Sequence, residues 1–169
     1  YGSADFPLDL GSAGGGTMDG GFGGTGGGAL RLIVGGTLTL NGTISANGGT
    51  GWGSWNTGGG SGGSIWATVG TLTGAGSFTA NGGNCNGAYG ASGGGGGRIA
   101  VYYQAQDGFS GWIASTANGG TGTAWGSGVH PDGYVGTVAF FGTSIPHEHL
   151  YVYQNFVLPP ESDRQYGAV

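Results

Sequence analysis

His147-Glu148-His149 sets two imidazoles on one side of an extended chain, a spacing that could hold zinc if a third ligand arrived from elsewhere. His130-Pro131-Asp132 offers one such ligand. Two histidines flanking an acid at a strand edge are more simply a solvated pair, so His147 and His149 are the minor, metal-binding reading and no cofactor is expected. The acids are Asp5, Asp9, Asp19, Asp107, Asp132, Glu148, Glu161 and Asp163, with none between Asp19 and Asp107. Glycosidic hydrolysis needs two carboxylates across one bond, and no such pair can be nominated from this spacing. Calcium repeats of the Gly-Gly-x-Gly-x-Asp type are missing. "GTMDGGFGG" around Asp19 comes nearest and reads as a turn aspartate. The expectation is a protein that is not an enzyme.

Aromatic residues are the other candidates. Trp52, Trp55, Trp66, Trp112 and Trp125, with Tyr89 and Tyr134, fall largely inside or beside glycine-rich stretches. Aromatic faces on an open flank stack on sugar rings or on a neighbouring molecule. The plainer alternative is that they roof the glycine chains. Trp52, Trp55, Trp125, Tyr89 and Tyr134 are the candidate contacts for carbohydrate or a partner. Cys85 is the single cysteine and cannot pair within the chain. It reads as an incidental small residue, with an intermolecular disulfide as the sharper alternative.

The elements that would position these groups must be built from an unusual composition. Of 169 residues, 47 are glycine and only 7% are charged, while 37% are hydrophobic and the net charge is −5. Glycine this dense without a Gly-X-Y period raises the question of disorder. The many β-branched and aromatic residues and the low charge argue for a folded chain. There is no lysine, and the three arginines, Arg31, Arg98 and Arg164, are too few and too scattered to line a phosphate-binding groove, so nucleic acid is not an expected partner. No apolar run reaches the roughly 20 residues that span a bilayer as a helix.

The chain repeats itself. Ala46-Asn47-Gly48-Gly49 recurs as Ala80-Asn81-Gly82-Gly83 (80 − 46 = 34) and as Ala117-Asn118-Gly119-Gly120 (117 − 80 = 37). Upstream lie four matched blocks, "GGGALRLIV", "SGGSIWATV", "GGGGRIAVYY" and "GYVGTVAFF". Period-two alternation within them marks strands whose inward residues are Leu30, Leu32, Val34, Leu38, Leu40, Ile44 and Ala46 in the first unit. The second unit gives Ile65, Ala67, Val69, Leu72, Phe78 and Ala80. The third gives Ile99, Val101, Tyr103, Phe109 and Ala117, and Val138 and Phe140 lead the fourth. Thr37, Thr39, Thr71 and Thr73 take outward positions. They form two ranks that could suit ice, but the third unit has Gly108 and Ser110 at the matching place. No helical period competes. Glycine-rich stretches between the blocks can lie side by side as extended or polyproline II chains, since no Cβ blocks close approach. A repeat of this length signals a solenoid whose units bury their apolar faces on each other.

These motifs, "GTLTLNGTISANGG", "GGGSGGSI" and "GGGGGRIAVYY", resemble the glycine-rich repeats of bacterial surface and secreted adhesin-like proteins, over roughly residues 1–142. The resemblance implies an all-β fold, a right-handed parallel β-helix (β-solenoid) with stacked glycine-rich excursions, and an extracellular or cell-surface location. The same architecture carries polysaccharide lyases, which align acids for calcium along successive strands, and the central units here lack them. The expected organisation is a solenoid over 1–145 and a capping or bridging tail over 146–169, with Tyr151, Tyr153, Phe156 and Leu158 as its assembly contacts. Tyr1-Gly2-Ser3-Ala4 and Tyr166-Gly167-Ala168-Val169 echo each other, as though cut from a tandem array. The expected function is a structural module of a rod or filament, stacking head to tail with other copies or flanking repeats. The alternative is a carbohydrate-binding adhesin or tailspike-like module.

Overall fold

The structure, a computed structural model, describes residues 2–53, 57–86, 91–123, 132–144 and 149–152. The four matched blocks become four strands: β1 (Ala29–Thr39), β3 (Ser64–Thr73), β5 (Arg98–Asp107) and β6 (Thr137–Gly142). They pair in parallel in that order, and the register joins equivalent residues, Val34 to Val69 to Tyr103 to Gly142. A short antiparallel strand, β7 (His149–Val152), closes the far side against β6. Two three-residue strands, β2 (Thr43–Ser45) and β4 (Ser77–Thr79), make a separate parallel pair. No helix occurs among the described residues, so no helix there is long and apolar enough to cross a membrane.

The expected parallel β-helix of stacked rungs is corrected by this topology. A coil requires every unit to supply the same set of strands, and here only one strand recurs in all four blocks. The second recurs twice, as β2 and β4. In the third unit it shrinks to a single parallel bridge, Thr79 to Thr116, behind a turn at Gly111–Ser115 where the Ser115 N–H donates to the Gly111 carbonyl at 3.0 Å. The larger sheet then ends on an antiparallel strand. The result is two small sheets, one of four parallel strands plus β7 and one of two strands.

The physical reason lies in the glycine segments, which are not excursions from a coil corner. In residues 58–63 successive N–H groups serve three different neighbours. Gly58 and Ser61 donate to the carbonyls of Gly15 and Ser12, both at 2.9 Å. Gly59 and Gly62 donate to Ser92 and Gly95, and Gly60 and Gly63 to Gly49 and Ala46. Donors to one neighbour are always three residues apart, the period of a polyproline II chain rather than of a strand. Such a chain makes no internal hydrogen bonds, so its peptide groups need partners on every side. Only glycine allows the approach this requires. A Cβ on Gly60 would overlap the Thr25 carbonyl oxygen, and one on Gly94 would overlap that of Gly60.

Between the sheets sits the core. Ile65, Ala67, Val69, Leu72, Phe78, Ile99, Val101, Phe109, Val138 and Phe140 are buried in one cluster, with Phe78 against Phe109 and Phe140 at 6.4 and 6.1 Å between ring centroids. Trp112 packs edge-on against Phe109 and Phe140, which makes it a core residue rather than a surface aromatic. A second cluster lies on the outer face of the larger sheet: Ala100, Tyr102, Ala139 and Phe141, with Trp66 and Leu150 beside it. The N-terminal segment crosses that face. Tyr102 donates its hydroxyl to the Asp5 carbonyl at 3.0 Å, Ser64 donates to the Asp9 carbonyl at 2.7 Å, and Phe6 packs on Trp66 and Tyr102.

Candidate functional site

The surface that stands out is the β1 end. Leu32, Val34, Leu38 and Ile44 are only half-buried, although each points into the main core. Their register partners one strand further in, Ala67, Val69, Leu72 and Phe78, are 0–2% exposed. Leu30, on the same strand, is 38% exposed. Among the described residues β1 is hydrogen-bonded to β3 on one side only, so 11 residues of backbone form a sheet edge there. Its only charged residue is Arg31. Long, nearly uncharged, apolar edges recruit another strand unless something covers them.

A second exposed feature sits among the glycine chains. Phe22 and Trp52 exchange both backbone hydrogen bonds, at 2.6 and 2.8 Å, in an isolated antiparallel bridge. This pairing puts the two side chains on one face, with Cα atoms about 5.5 Å apart. Both rings face solvent, Phe22 at 74% and Trp52 at 63% exposure, and Met18 nearby in the chain is fully exposed. Tyr134 is also exposed, on a different glycine segment. Sequence reading nominated Trp52 and overlooked Phe22. The available signal was one large aromatic isolated in "GGFGG", where a core role is hard to build.

Trp55, Tyr89, Trp125, His147, Tyr153, Phe156 and Leu158 lie outside the described residues. His149 and Tyr151 belong to β7, where the backbone of Tyr151 pairs in register with Phe140 of the same chain. Among the described residues no three His, Cys, Asp or Glu side chains are grouped to hold a metal. Arg31 and Arg98 are not level in the sheet: Arg98 aligns with Ser64 and Ala29, Arg31 with Trp66 and Ala100. Cys85 is buried, and its thiol donates to the Ala91 carbonyl at 3.1 Å. Thr123 Oγ1 lies 3.3 Å from the same sulfur. That position explains a lone cysteine as a small, packed group. Comparison with protein-family models, curated proteins and solved structures finds no match.

Proposed function

We propose that this chain is a non-catalytic structural module of an extracellular rod or filament, extended by adding further copies, or flanking repeats of a longer chain, at the β1 edge. One observation supports the reading above the others: among the described residues the core is sealed at β3 to β6 and left half-open at β1 and β2. Leu32, Val34, Leu38 and Ile44 stand half-open where their neighbours are sealed. Another strand laid on β1 would bury Leu32, Val34 and Leu38 and pair its backbone, and the same unit would reach Ile44 through the β2 edge. A contact of this head-to-tail type does not close on itself and gives a filament. The scarcity of charge suits a close-packed array, and three arginines with no lysine do not suit nucleic acid.

Electron microscopy and fibre diffraction of the undenatured protein at several concentrations test this. Filaments with strands stacked along the axis should repeat every ~24 Å, five strands at about 4.8 Å each. Leu38→Lys, an inward-pointing charge at the edge, should leave folded single particles. Wild-type protein that stays as separate particles at every concentration would sink the proposal.

The Phe22–Trp52 pair favours a second reading, a module that binds surface glycans. Two solvent-facing rings on one face, amid peptide groups, suit the flat apolar side of a sugar. Trp52→Ala should then abolish retention on a glycan column without altering the melting temperature.

A further inference from the structure

The outer face of the larger sheet carries a groove of about 310 Å³, lined by Phe6, Ile33, Trp66, Thr68, Tyr102 and Gln104 over a floor that includes Gly35 and Gly70. That is the lower end of the range for small-ligand pockets, about 300–1,000 Å³. The register explains its shape. Ile33, Thr68 and Tyr102 lie level across three strands and point outward. Two residues further on, β1 and β3 both present glycine, and a Cβ on Gly35 would meet nothing within 4 Å. Small residues beside a row of large ones leave a depression.

Its chemistry is specific. The wall is aromatic: Phe6 sits edge-on to Trp66 at 5.3 Å and stacks on Tyr102. The rim is uncharged hydroxyl and amide, from Thr68, Gln104 and Thr143. Arg31 does not line the groove but stands beside it, level with Trp66 in the sheet, with its guanidinium 4.4 Å over the indole ring. That guanidinium has no hydrogen-bond or ion-pair partner among the described residues. The indole N–H of Trp66 is buried and also lacks an acceptor there, which is uncommon for a buried donor. Apolar walls with a few convergent polar groups are the usual make-up of a small-ligand site.

We propose that this groove binds a saccharide unit bearing a carboxylate, a uronic acid. The ring's C–H face lies on the aromatic wall, the hydroxyls meet Thr68 and Gln104, and the carboxylate is held by Arg31. The site shares no residue with the Phe22–Trp52 pair and does not depend on the assembly reading.

The test is a titration of the full chain's tryptophan fluorescence with a glucuronate-containing disaccharide and with its uncharged glucose counterpart. The acidic disaccharide should give a saturable change that disappears in Trp66→Phe. Its affinity should fall with added salt and drop about three- to five-fold in Arg31→Gln, to the level of the neutral sugar. Gly35→Leu fills the groove where the backbone leaves room, so it should fold normally and abolish binding. Equal binding of the two disaccharides would overturn the assigned ligand class. Undiminished binding in Gly35→Leu, or a response lost only in Trp52→Ala, would overturn the site. No saturable response to either sugar would overturn the proposal outright, and altered filament assembly in Gly35→Leu alongside that silence would assign the groove to a chain segment instead.

Discussion

The side-chain oxygen of Asn47 accepts the backbone N–H of Asn81 at 2.7 Å, and the oxygen of Asn81 in turn accepts the N–H of Asn118 at 2.7 Å. The repeated Ala-Asn-Gly-Gly block is therefore a ladder. Its alanines, Ala46, Ala80 and Ala117, are buried in the core, and its glycines enter the hydrogen-bonded glycine chains. Asn84 repeats the device on Thr121 at 2.8 Å, while Asn41 reaches Ala75 at a longer 3.3 Å. The carboxamide thus fixes the register of adjacent units at the corner where sheet gives way to glycine chain.

Asn47→Ala removes the acceptor for the Asn81 N–H and should cost about 1 kcal/mol. Asn41→Ala, at the longer bond, should cost less than half of that. Thermal or urea unfolding of the two variants measures the difference, and equal losses would show that the ladder does not set stability.

The glycine chains divide into positions where a methyl group collides and positions where it meets nothing. Gly60→Ala would drive its Cβ into the Thr25 carbonyl, in the interior of the bundle, where backbone rather than a yielding side chain must move. A loss of more than about 3 kcal/mol is expected, in the range of severe core lesions. At Gly28 the same methyl meets nothing within 4 Å. Gly28→Ala should be neutral or gain up to about 1 kcal/mol by restricting the unfolded chain. Melting temperatures of the pair decide it, and an equally tolerant Gly60 would refute the packing of these chains.

Cys85 is 2% exposed and its thiol is engaged by Ala91. In native protein a bulky aromatic disulfide reagent should react with it far more slowly than with a small free thiol, and at the ordinary rate once denaturant unfolds the chain. Prompt native-state labelling would show that this corner opens.

Much of the larger sheet could be read from the sequence. Period-two alternation named the inward residues correctly, from Ile65 and Val69 to Val138 and Phe140, because a buried face constrains every second residue. The block alignment anticipated the register of the first three strands, Val34 to Val69 to Tyr103, and missed the fourth by one residue, since Tyr103 pairs with Gly142 rather than Phe141. The arrangement of the units was not legible. The sequence allowed the glycine stretches to lie side by side as polyproline II chains, but glycine carries no side chain to declare which neighbour each one faces. The outer groove was equally hidden. Trp66 and Tyr102 sit at outward positions where alternation leads one to expect polar residues, and their cover, Phe6, lies 60 residues from Trp66 in the chain (66 − 6).

The proposed assembly separates two leucines that the register places side by side. Leu72 is fully buried within one chain, whereas Leu38, its partner on β1, is half-buried against the same core. In single particles Leu72→Ala should cost about 2–5 kcal/mol, the range for truncating a buried leucine and leaving a cavity. Leu38→Ala should cost less than half as much, because solvent already reaches the side chain. In filaments an added strand would cover Leu38, and its truncation should then approach the cost at Leu72. Urea denaturation of each variant, once below and once above the concentration at which wild-type filaments form, reads both values. A Leu38 penalty that stays small in assembled protein would mean that β1 is not the growing edge.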